Sequence, residues 1–172
     1  LYTEHDGHSF YAYIPGETAF VHNASLWGAA WCAFAGHQTG RLELVDQAIQ
    51  VTRETVRAQS ADGSWVYGTR QHHQFVDGFH TGFNLEALCL IRDVTQSVEF
   101  DHCIRRGYDY YVRTFITSTG DISYYKSSTY PLDMHCVAQA VITLLTTGNG
   151  PSARKQSTCL LYTSDAAAIL LV

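Results

Sequence analysis

The chain has no unbroken apolar run of about 18 residues or more, so nothing in it reads as a membrane-spanning helix. Clustered lysine and arginine are missing too. Its 11 basic and 16 acidic residues leave a formal net charge of -5, whereas a nucleic-acid binder needs a basic face. There is no Cys-x-x-Cys pair, no phosphate-cradling glycine loop and no nucleophile elbow. No charged segment precedes an apolar one near Leu1, so no signal peptide is visible, and a first residue other than methionine suggests a start inside a repeat. Five cysteines, Cys32, Cys89, Cys103, Cys136 and Cys159, make an odd count, and four of them lie in apolar helical patterns. They read as buried free thiols in a reducing, cytoplasmic setting.

What is present is a repeat. Asp6-Gly7-His8-Ser9-Phe10-Tyr11, Asp62-Gly63-Ser64-Trp65-Val66-Tyr67 and Thr119-Gly120-Asp121-Ile122-Ser123-Tyr124 each place Tyr four residues after Gly, with glycines 56 and 57 residues apart. Glycine allows the left-handed backbone that a turn after a helix requires. The tyrosine can then bury its ring and give its hydroxyl a polar partner.

Between these turns the hydrophobic pattern alternates. Residues 24–36 are apolar on every face, which marks a buried helix. Residues 41–59 carry one apolar stripe, Val45, Ala48, Ile49, Thr52 and Val56, and are otherwise charged or polar. Phe83 to Ile91 is apolar again, interrupted by Asn84 and Glu86. Residues 99–116 return to a single stripe, and Asp133 to Leu145 is once more apolar before Gly148-Asn149-Gly150-Pro151. A plain bundle would give every helix a one-sided stripe. Alternating buried and wet helices instead predict an all-α fold, a partial α/α toroid with inner and outer rings. With 172 residues, 46% of them hydrophobic, one domain over 1–151 is expected, and 152–172 reads as a non-native or disordered tail.

In such a toroid the loops from outer to inner helices open on one end, so polar residues at inner-helix starts converge there. These are His22 and Asn23; Asp77, His80 and Thr81; and Asp133 and His135. An Asp at such a position is a good helix cap. Paired with a histidine it can also hold or move a proton near neutral pH, and two carboxylates across a cleft are the minimum for glycoside chemistry. Asp77, His80, Asp133 and His135 are therefore the catalytic candidates. Loop aromatics Trp65, Tyr67, Tyr124 and Tyr125 could stack on sugar faces, and with His22, Asn23 and Thr81 they complete the substrate-binding set. His72, His73, Asp77 and His80 cluster, but the first two fall in a loop beside Arg70 and Gln71, so neither a metal site nor another cofactor is expected. Asn23-Ala24-Ser25 matches a glycosylation sequon, yet it opens a buried helix.

Gln59-Ser60-Ala61-Asp62-Gly63-Ser64-Trp65 resembles the Q-x-x-x-G-x-W repeat of terpenoid cyclases, which are also α/α toroids. It occurs once, and the cyclases' D-x-D-D acid motif has no counterpart. A broader likeness rests on Asn23-Ala24, Asp62 to Gly68, Asp77-Gly78-Phe79-His80-Thr81-Gly82-Phe83, Gly107-Tyr108-Asp109-Tyr110-Tyr111 and Pro131-Leu132-Asp133-Met134-His135. These resemble toroid proteins of bacterial exopolysaccharide and lipopolysaccharide gene clusters, which are similar to the six-hairpin glycosidase superfamily. The resemblance implies about three of six hairpins, a polysaccharide or oligosaccharide partner, and a surface that meets the missing part of its own ring. It also implies a role in making or trimming bacterial surface polysaccharide, as a glycosidase-, lyase- or epimerase-like enzyme; a terpenoid-cyclase- or prenyltransferase-like toroid enzyme and a non-catalytic glycan-binding or scaffold toroid are the other expectations. Cys159 to Ala167 resembles the translated adapter read-through found at the ends of metagenomic sequence fragments.

Overall fold

The computed structural model describes residues 1–126, 128, 130 and 133–148. The tail assigned to 152–172, and Cys159 within it, lies outside them. Five helices follow a short hairpin: β1 (Tyr2–His5), β2 (His8–Tyr11), α1 (His22–Thr39), α2 (Leu42–Arg57), α3 (Gly78–Thr95), α4 (Asp101–Phe115) and α5 (Met134–Thr147). The inner helices α1, α3 and α5 lie side by side, with α2 packed on α1 and α4 on α3. This is the two-layer arc that the alternating hydrophobic pattern predicts. The core joins both layers, running from Leu26, Ala29 and Ala33 through Leu85 and Leu88 to Tyr111, Phe115 and Leu144.

The repeated turns stitch one hairpin to the next. Gly7, Gly63 and Gly120 all have left-handed backbone, with φ of 78°, 96° and 92°. The carbonyl of Tyr67 accepts from the His22 N–H at the start of α1, and that of Tyr124 accepts from the Gly78 N–H at the start of α3. Each turn thus satisfies an end of the preceding inner helix, whose first N–H groups have no partner within the helix. Antiparallel bridges at Val21–Gly68 and Asp77–Tyr125 repeat the same stitch. Gly63 is the tightest case, because a Cβ there would be driven into the Arg106 carbonyl oxygen. Gly63→Ala is expected to lower stability by about 2 kcal/mol or more, through positive φ and the clash together. Urea unfolding would measure it, and a loss below about 0.5 kcal/mol would show that the turn relaxes freely.

Two features depart from the sequence expectation. The first Gly-x-x-x-Tyr unit sits in a β-hairpin, with Asp6 and Gly7 both at positive φ and His5 paired with His8. Asp-Gly between alternating residues is a strong signal for that tight turn. The second concerns α1, which is not buried on every face: Trp31 is 60% exposed and Phe34 40% exposed. On α5, Met134, Ile142 and Leu145 are exposed as well. These are the two outermost inner helices of the described arc, and each lacks an inner neighbour on one side among the described residues.

Candidate functional site

Val21, Asp77 and Asp133 stand 56 residues apart, each immediately before an inner helix. Val21 has no side chain able to cap, but the two aspartates do. Asp77 is 2% exposed and divides its oxygens. Oδ1 accepts from the His80 N–H at 2.7 Å, and Oδ2 lies 2.7 Å from His80 Nδ1. Asp133 makes both contacts through Oδ1, at 2.8 Å to the His135 N–H and 3.0 Å to His135 Nδ1. In each pair a carboxylate accepting from Nδ1 orients the ring and leaves Nε2 to take or give a proton.

The pairs meet at one end of the arc. Phe79, the second residue of α3, lies 5.3 Å from the His80 ring and 6.2 Å from the His135 ring. Around Asp77 a pocket forms from Asn23, Trp65, Val66, Tyr67, Phe75, His80, Thr81 and Asn84. It is narrow, with no space in its present form for a water-sized sphere. Tyr67 stacks on Phe75 at 5.1 Å and meets the His80 ring edge-on at 4.6 Å. Burial raises the Tyr67 hydroxyl's pKa, with smaller contributions from Tyr13 and the Asp77 charge. Tyr124 is pushed up to about 12, chiefly by burial and then by Asp77. Both phenols therefore stay neutral donors around the acid.

The structure thus gathers Asp77, His80, Thr81, Asn23 and Tyr67 at one pocket, with Asp133 and His135 beside it. Thr81 uses its hydroxyl to bond the Asp77 carbonyl at 2.6 Å. Tyr124 and Tyr125 pack on each other at 4.7 Å, and Tyr125 is exposed. Two candidates are placed differently from the expectation. His22 is buried against α2, with Nδ1 3.2 Å from Thr55 Oγ1 and its ring against Phe20, so it offers nothing to the pocket. Trp65 forms only the pocket's back wall: it is 2% exposed, its Nε1–H donates to the Thr55 carbonyl, and its ring lies against Gly107. It has no open face for a sugar. Asn84 is the pocket residue that sequence reasoning passed over as a polar interruption of an apolar helix.

Among the described residues, no three His, Cys, Asp or Glu side chains gather as a metal site would. Also among them, no helix is long and apolar enough to cross a membrane. Cys32, Cys89, Cys103 and Cys136 are free thiols, and burial pushes Cys103 and Cys136 up to about 12.

An arc of paired helices, inner starts converging on Asp–His pairs at one end, defines a partial α/α toroid. No family model matches the sequence, and no curated protein matches it. Solved structures do. The chain is similar to a GH76 alpha-mannanase of Bacteroides thetaiotaomicron at 12% identity and TM-score 0.72, over 95% of this chain and 50% of that one. It is similar to an unsaturated glucuronyl hydrolase from Bacillus sp. GL1, responsible for the degradation of glycosaminoglycan, at 11% identity and TM-score 0.69, over 89% and 48%. A third likeness, to endoglucanase CelQ from Clostridium thermocellum complexed with cellotriose, has 13% identity and TM-score 0.56, over 84% and 29%. The chain spans about half the length of the first two. The likeness is one of fold, the α/α toroid.

Proposed function

We propose that this chain is part of a carbohydrate-active toroid in which Asp77–His80 and Asp133–His135 perform acid–base chemistry on a glycan. One observation carries the reading. Equivalent positions of successive inner helices hold carboxylates, each bonded to an imidazole, and both imidazole rings lie near Phe79. Two neighbouring titratable pairs suit glycoside cleavage or elimination beside a uronate. The named substrates of the similar structures, a mannan, a glycosaminoglycan and a cellulose fragment, support a saccharide as the ligand class. The finer proposal is bacterial surface-polysaccharide synthesis or trimming in the cytoplasm, with further hairpins seated on the exposed faces of α1 and α5. A cyclase-like reading is less favoured, since each acid here is tied to a histidine rather than isolated in a dry cavity.

The test separates cap from chemistry. Asparagine caps a helix as well as aspartate does but cannot ionise. Asp77→Asn and Asp133→Asn in the full-length protein should therefore keep the melting temperature within a few degrees. At least one should lower turnover of the polysaccharide encoded by the neighbouring genes by about 100-fold or more. If both variants turn over at the wild-type rate, the two aspartates are caps and nothing else.

A further inference from the structure

Two buried side-chain oxygens in the Asp77 pocket have no hydrogen-bond partner: Asn23 Oδ1 and Asn84 Oδ1. Asn23 is 6% exposed and Asn84 3%. An amide oxygen held out of water without a donor costs free energy that an apolar residue of similar size would not. Position 84 need not be polar for the repeat: its counterparts 56 residues away in each direction are Gly28 and Ala140. Both oxygens are out of contact with bulk solvent.

We infer that Asn23 and Asn84 are acceptors for neighbouring hydroxyl groups of a neutral sugar ring, and so set which face of the ring enters the pocket. This rests on the reading of Asp77–His80 as a glycan site and extends it to specificity. The chemistry selects the ligand class. The two amide oxygens can accept from hydroxyl donors, and the Asp77 charge beside them disfavours a second carboxylate. A neutral hexose is thereby favoured over a uronate at this subsite. Phe75, partly exposed and stacked on Tyr67, lines the pocket, which must widen to admit a sugar.

The experiment is ligand-observed NMR on the full chain with D-mannose, D-glucose and D-glucuronic acid, comparing wild type, Asn84→Leu, Asn84→Asp and Asp77→Asn. Neutral hexoses should bind in preference to glucuronate. Asn84→Leu should weaken hexose binding about tenfold while the melting temperature stays level or rises, because an unpaired polar atom is removed. Asn84→Asp keeps acceptor oxygens and should hold neutral hexose within a few-fold. The inference is overturned if Asn84→Leu binds hexose as well as wild type, if glucuronate binds better than both hexoses, or if Asn84→Asp loses binding as completely as Asn84→Leu. A loss of stability in Asn84→Leu beyond a few degrees would also overturn it, by making Asn84 a structural residue. Failure at Asn84 with binding lost in Asp77→Asn leaves the functional reading standing. Binding lost at Asn84 but untouched in Asp77→Asn removes Asp77 from the site and keeps Asn84 in it.

Discussion

Trp65→Ala is expected to destabilise the chain by about 4 kcal/mol, the range for deleting a fully buried tryptophan. Three elements depend on this one ring. Its Nε1–H donates to the Thr55 carbonyl near the end of α2 at 3.0 Å. Its six-membered ring lies so close to Gly107 in α4 that a Cβ there would meet Cη2 and Cζ3 at 2.6 and 2.7 Å. Leu85 of α3 reaches the same spot. Removing the indole leaves a cavity between two outer helices and an inner one, and strands a buried carbonyl. Chemical denaturation at neutral pH measures the loss. Trp65→Phe should recover most of the packing but not the hydrogen bond. If Trp65→Ala instead costs under about 1 kcal/mol and weakens sugar binding, the ring is a stacking platform and not a structural wedge.

Acid is expected to weaken the fold before its carboxylates titrate. Burial, with a smaller contribution from nearby His8, lowers the His22 pKa from 6.5 to about 4. The folded state therefore refuses a proton that the unfolded chain accepts below about pH 6.5. The contribution of neutral His22 is fully present above that pH and is lost as pH falls toward 4. Between pH 7 and 5 the linkage amounts to about 2 kcal/mol. Urea midpoints at those two pH values give the difference directly. His22→Gln, which does not titrate in this range, should flatten the slope whatever its own stability. An unchanged slope in that variant would place the acid sensitivity elsewhere.

These two residues also show where sequence reading stops. The alternation of all-apolar and one-striped segments was enough to place five helices in two layers, because burial on one face or all faces writes a period into the sequence. The even glycine spacing revealed the repeat, and the three positive φ values explain why glycine is kept there. Orientation about a helix start is another matter. His22 and Asn23 are adjacent, yet one turns to α2 and the other to the pocket. Trp65 and Tyr67 are two residues apart in an irregular loop, and only Tyr67 reaches a histidine of the site. No periodicity constrains such loops, so their side chains are set by tertiary packing alone. Asn84 was visible as a polar residue inside an apolar helix. That pattern marks either a buried network or a site, and only the orphaned oxygen distinguishes them.

The bare faces of α1 and α5 are chemically alike but geometrically unlike, one led by Trp31 and Phe34, the other by Ile142 and Leu145. Contact between them joins the head of one arc to the tail of another and leaves a fresh head and tail behind. Such heterologous contact ends only when the turn per hairpin closes a circle; otherwise it propagates. The hairpins proposed to seat on these faces must therefore offer two different complements, one to the aromatic edge of α1 and one to the aliphatic edge of α5.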